Sequence, residues 1–260
     1  SLQFGYGQDA ADPHDGLSLY GPFNLDRPGH PVRPPHVVIG TRDGIELWKS
    51  WSEAINKGFA VSKKDRKTGI IGPGNFALWT PYPGYEAAFG ARWEPKPLAE
   101  YELSPSSLSE SSRKHDVHQR CSAVVQHYLD LFPQIRKLDT RPSIAICVVP
   151  DEVYVNCRPE SRISKPSDKA TRRGKSTKDT EIDESANGLA PDFRRQLKAR
   201  VMAYELPVQI IRESTLRLDD ENKFGKRGLT PISDRMWNLT TCLYYKTGGK
   251  PWRLNSARPG

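Results

Sequence analysis

FRRQLKARVMAYELPVQIIREST (residues 193–215), a polar loop, and TPISDRMWNLTTCLYYKTGGKPW (residues 230–252) form the stretch whose reading decides the fold. Phe193, Leu197, Val201 and Tyr204 recur at helical spacing and give one apolar face. Arg194 and Lys198 stand four apart and are neighbours on that helix surface. Leu206 to Ile211 is short and β-branched and reads as a strand carrying Gln209. Thr230-Pro231 predicts a helix start, a capping hydroxyl followed by proline at the first helical position. Met236, Leu239 and Leu243 make the apolar stripe, Lys246 sits in the last turn, and Gly248-Gly249 ends the helix. Helix, strand and helix thus bring one arginine, two lysines and one amide into a small α/β layer. Ammonium groups neutralise a terminal phosphate, and an amide adds a directed hydrogen bond. Taken singly, each lysine reads as an ordinary solvated side chain. The ordered set Arg194, Lys198, Gln209, Lys246 is more specific than any member.

The chain of 260 residues has room for one large or two small domains. Its 39 basic and 31 acidic residues leave a net charge of +8, which favours an anionic partner. Cys121, Cys147, Cys157 and Cys242 form no C-x-x-C pair, and two of them lie in apolar runs. Reduced core thiols in a cytoplasmic protein are the expectation. The apolar run Ile144–Val149 is far too short to span a bilayer, so no membrane association is expected. SLQFGYGQ, at the start, carries no export signal, and a processed or excised N-terminus is expected.

Residues 1–35 are rich in Gly, Pro and Asp, with a short apolar alternation at Leu17, Leu19 and Phe23 that could form a strand only by pairing elsewhere. His14-Asp15 reads as part of a turn. Val37 to Thr41 predicts a strand running into a turn, and Ile45, Leu47, Trp48, Trp51, Ala54 and Ile55 a helix after it. GIIGPGNF at 69–76 lacks the Gly-Lys-Ser/Thr of a phosphate-binding P-loop and reads as a turn. The aromatics Tyr82, Tyr85, Phe89 and Trp93 read as core or interface packing, since few cations interleave with them. SPSSLSESS opens a helical stretch from Ser104 to Leu131 that Pro133 ends. His115, His118 and Cys121 fall on one side of it, but no fourth ligand completes a zinc motif. Ser143–Val149 reads as a central strand buried on both faces. Asp151-Glu152 could be an acid/base pair, and reads better as the acidic start of the next helix. Residues 158–178 carry eight basic residues without apolar periodicity, a basic insertion closed by DTEIDESANG.

RRQLK (194–198), PVQII (207–211) and YYKTGGKPW (244–252) resemble, in order and spacing, the guide 5′-end pocket of the MID domain of Argonaute proteins, above all the short prokaryotic Argonautes. The P-x-P-G-Y piece at 81–85, the P-D-E at 150–152 and the G-L-x-x-Y-G-P segment at 16–22 are similar to that group as well. The resemblance implies an α/β chain with a Rossmann-like MID domain over 36–250, including an insertion at 158–188. It also implies flanking segments of an RNase H-like PIWI domain at 1–35 and 251–260, so that the first residues lie with the last in space. Lys198, Gln209 and Lys246 would hold the guide 5′-phosphate, with Arg194 beside them or stacked on the first base, and Ser214 and Thr215 would contact that base. Mg2+ at the guide phosphate would need a C-terminal carboxylate that this chain lacks.

The implied function is anchoring a small guide RNA for recognition of single-stranded DNA without slicing, since the sequence supplies no carboxylate cluster for two metals. The implied partner is an APAZ-containing effector with a TIR, sirtuin-like or nuclease domain, switched on in prokaryotic immunity. Two rival readings remain at this level: an α/β enzyme acting on a phosphorylated small molecule or nucleotide, and a scaffold whose basic face docks a partner.

Overall fold

The computed structural model describes residues 1–61, 79–161, 163, 191–218 and 230–255. The expectations for 69–76, for most of the 158–188 insertion and for most of the 216–228 loop lie outside the described residues.

Four parallel strands form the central sheet in the order β4-β3-β5-β6: β3 (His36–Gly40), β4 (Glu100–Glu102), β5 (Ile144–Val149) and β6 (Val208–Arg212). Every residue of β3 and β5 is buried, as continuous apolar runs covered on both faces should be. Helices α2 (Arg42–Ala54) and α9 (Ile232–Lys246) pack on one face with Val38, Ile146 and Ile211. Helices α5 (Val117–Leu129) and α8 (Phe193–Val201) pack on the other with Val37, Ala145 and Ile210. The molecule is therefore α/β, a parallel sheet between helical layers.

Local chemistry sets the element ends. Thr41 Oγ1 accepts from the Gly44 amide at 3.1 Å and caps α2. Helix α9 ends at Lys246 because Gly248 adopts φ +101°, a left-handed conformation that stops the helix. Tyr82, Tyr85, Phe89 and Trp93 are all buried, with Tyr85 and Phe89 in the short helix α3 (Tyr85–Phe89), so the core reading of these rings holds. Leu2–Gln3 (β1) pairs antiparallel with both Asp9–Ala10 (β2) and Arg253–Leu254 (β7), which places the first residues beside residues 253–254.

Three expectations need correction. Residues 13–20 are neither strand nor turn but helix α1 (Pro13–Tyr20), because Asp12 Oδ1 accepts from the amides of His14 and Asp15 and Pro13 opens the first turn. The strand that meets residues 253–254 is Leu2–Gln3, not the 17–23 alternation.

The stretch from 104 to 131 is two helices, α4 (Pro105–Ser112) capped by Ser104 and α5 capped by Asp116. Buried Arg120 fixes the break by donating to the Lys114 and His115 carbonyls at 3.3 and 2.8 Å. Pro133 does not end α5, which stops at Leu129; it lies in the first turn of α6 (Phe132–Ile135), where a missing amide costs nothing.

Thr230 does not cap α9: its carbonyl accepts from Arg235 Nε at 3.0 Å, and Pro231 occupies the cap position without a side-chain bond.

Candidate functional site

Among the described residues β6 is an edge strand, and there Gln209 meets Lys246, with Arg194 and Lys198 lining the hollows on either side. Asp192 Oδ1 accepts from the Arg195 amide at 2.8 Å and starts α8. Phe193, Leu197 and Val201 turn into the core, which leaves Arg194 and Lys198 on the exposed side. Gln209 lies in register with Ile146, one residue from the start of β6. Its neighbour Lys246 comes from the last turn of α9: Nζ donates to Gln209 Oε1 at 2.7 Å and to the Val208 carbonyl at 2.5 Å. An ammonium can only donate, so Lys246 fixes the orientation of the amide, with its oxygen inward. Gln209 Nε2 is left with a 3.4 Å contact to the Ile210 carbonyl, so its donor capacity is largely unspent.

Electrostatics ties the remaining cations to this pair. The Lys246 ammonium is brought down to about 8, first by burial and then by the positive charges of Lys198 and Arg194. Three cations that act on one another in this way are suited to an anion, with Glu205 at the rim beside Lys198 and Lys246. Two hollows flank the Lys246–Gln209 contact. One, of about 430 Å³, is lined by Lys198, Lys246, Val208 and Glu205 among others. The second, of about 420 Å³, is lined by Arg194, Gln209, Arg212 and Thr215 among others.

Sequence reasoning missed the group that shapes the second hollow. Asp151 begins α7 (Asp151–Asn156), as expected of the acidic pair, and its carboxylate is buried. Its Oδ1 accepts from Arg212 Nε and Nη2 at 2.9 and 2.6 Å. The Arg212 guanidinium also sits 4.1 Å from the centre of the Tyr154 ring. Three contacts thus hold a charged plane at the carboxyl end of a parallel strand, the end where ligands of open α/β sheets bind. Arg212 is three residues past Gln209, but its partner is 61 positions away, so only the strand register could reveal the pair.

Ser214 does not fit its expected role. It is buried, its hydroxyl donates to Asp151 Oδ1 at 2.6 Å and its amide to Oδ2 at 3.1 Å, so it braces Asp151 instead of facing the hollow. Thr215 does line the hollow, and its carbonyl accepts from Arg235 Nη1 at 2.8 Å. Glu152 is spent on Arg113 at 2.5 Å and Ser109 at 3.0 Å, which leaves no acid/base pair with Asp151.

His115 precedes α5 and Cys121 is buried within it, and no cluster of three or more His, Cys, Asp or Glu suited to a metal occurs among the described residues. The donors gathered around Gln209 are ammonium, guanidinium and amide groups, which fit an anion and not a protein-held Mg2+. All four cysteines are free, three of them buried and Cys242 exposed. No helix among the described residues is long and apolar enough to cross a membrane.

No protein-family model matches the chain, and no curated protein sequence matches it significantly.

Proposed function

We propose that this chain anchors the 5′-phosphate of a short guide nucleic acid, as its resemblance to short prokaryotic Argonautes implies. The observation that carries the reading is the Lys246–Gln209 contact, with the Lys246 charge disfavoured by burial and, after it, by Lys198 and Arg194. A terminal phosphate is close to a dianion at neutral pH and offers three strong acceptor oxygens. Lys246 and Lys198 would neutralise it, Gln209 Nε2 would donate to one oxygen, and Arg194 would close the open side. Burial and, after it, repulsion lower Lys246 in the free protein, and a bound phosphate favours the charged form, so binding takes up a proton at pH values where Lys246 is neutral. A 5′-hydroxyl end supplies none of this charge.

In this reading residues 36–250 are the MID domain. Residues 1–35 and 251–260 are flanking segments of a PIWI domain, a reading that the pairing of Leu2–Gln3 with Arg253–Leu254 supports. The guide, an RNA, directs recognition of single-stranded DNA. Nuclease or nucleotide-consuming chemistry belongs to an APAZ-containing effector partner.

The test is binding of one short RNA with a 5′-phosphate and the same RNA with a 5′-hydroxyl, at fixed salt. General attraction to the backbone treats the two nearly alike. A clear phosphate preference that is lost in Lys198→Ala and Gln209→Ala supports the reading, with each substitution costing about 1–3 kcal/mol. No preference refutes it. Turnover of a free phosphorylated nucleotide would favour the enzyme reading instead.

A further inference from the structure

A larger hollow of about 640 Å³ opens on the outer side of α9, against α1 and the segment after Gly249. That is within the range of about 300–1,000 Å³ for sites that hold small organic groups. Aromatic rings form its walls: His14, Trp237, Tyr245 and Trp252. The His14 ring stacks on Trp237 with centroids 4.8 Å apart and planes 25° from parallel. Tyr245 is 65% exposed, so its face is open to a ligand. The lining includes Lys250 and no carboxylate. This hollow shares Asn238 and Cys242 with the one beside Gln209 and Arg212, so a single groove follows α9 from the cationic set to Trp252.

We propose that this aromatic trough holds nucleobases of the single strand that continues from the anchored phosphate. The proposal rests on the phosphate-anchoring reading above, which supplies the strand's starting point. Every base has a π-face, so stacking on Tyr245 and Trp252 is tolerant of sequence. Lys250 and the exposed Arg253 next to the trough face a polyanionic backbone without a competing acid among the lining residues. Continuity with the cationic set and this charge pattern select a nucleic acid over an apolar peptide as occupant.

The experiment compares two ligands on the full chain: a nucleoside 5′-monophosphate, which reaches only the anchor, and a short single-stranded RNA with a 5′-phosphate. Tyr245→Ala removes an exposed ring from a helix surface and leaves the core intact. Trp252→Leu keeps apolar bulk where the indole packs on the core. Each variant is expected to weaken RNA binding about tenfold, the scale of one lost base stack, and to leave the monophosphate unaffected. Unchanged RNA affinity in both variants overturns the trough and leaves that face to a protein partner. Equal losses for both ligands also overturn it, since the rings would then act on the anchor itself. If the unaltered chain binds 5′-phosphate and 5′-hydroxyl RNA alike, the anchor reading fails separately, and RNA binding by the two variants still decides the trough.

Discussion

Raising the pH from 7 to 9 should weaken binding of a 5′-phosphorylated RNA about tenfold through one side chain, Lys246. Its ammonium titrates at about 8 in the free protein, lowered by burial, Lys198 and Arg194. About nine in ten copies are therefore charged at pH 7 and about one in ten at pH 9. A bound phosphate restores the charged form, so above 8 the protein must first recover a proton. Affinity then falls by a factor approaching ten per pH unit, until the bound-state value is reached. The ligand contributes no slope, because the phosphate has lost its second proton by about pH 7. Titration calorimetry in buffers of different ionisation heat should show close to one proton taken up at pH 9 and about a tenth of one at pH 7. Lys246→Arg keeps its charge throughout and should flatten the profile, while Lys198→Ala should move the midpoint up by removing a repulsive neighbour. An affinity that is level from pH 7 to 9, or a slope of equal size with a 5′-hydroxyl RNA, would refute the reasoning.

Further outcomes follow from other groups. His36 is held neutral, its value lowered to about 4 by burial, so the unfolded chain binds more protons between about 4 and 6.5 and stability must fall as pH drops through that window. The loss approaches about 3 kcal/mol by pH 4; urea melts of His36→Phe should show a shallower acid slope than the parent, and an identical slope removes His36 as the cause. Asp151→Asn should cost about 2–3 kcal/mol in denaturant melts, because it strips the counter-charge from Arg212 and loosens Ser214; a variant as stable as the parent would show that the carboxylate is not needed there. Gly249→Ala would put a Cβ 2.3 Å from the Tyr244 ring, which is stacked on Phe89, and a destabilisation of about 1–3 kcal/mol is expected; an unchanged melting temperature would mean that the ring can give way. Cys242 is the exposed thiol among four, so alkylation followed by mass spectrometry should modify it first, and bound RNA should slow that reaction.

Strands β3 and β5 and helices α2, α8 and α9 could be read from the chain because each carries its own periodicity: buried runs, or apolar residues at helical spacing. The four cationic and amide residues could be read because all lie within the helix–strand–helix unit from 193 to 246. Helix α1 was hidden by a coincidence of pattern. Leu17 and Leu19 alternate as a strand would, yet only Leu17 is buried and Leu19 is 70% exposed. Asp12 and Pro13 carried the decisive signal, a side-chain acceptor and a preset φ. The Asp151–Arg212–Ser214 cluster was out of reach because strand pairing, not sequence spacing, brings it together. Ser214 shows the cost: a polar residue just past the Gln209 strand looked available to a ligand, but the buried carboxylate already claims both of its donors.

Strand β1 can pair with β2 early, but the β1–β7 half of the small sheet cannot form until residues 253–254 are available to residues 2–3. On a translating ribosome adding about 5–20 residues per second, the leading strand therefore waits tens of seconds for its partner. The parallel sheet, complete once β6 is made, can fold meanwhile. The order is then fixed by geometry: the central layer precedes the β1–β7 pairing. This pairing of two-residue strands, with Leu254 exposed, also opens before the buried central sheet. Amide exchange at Leu2 and Leu254 should run together and well ahead of β5, because neither strand of that pair can leave without releasing the other.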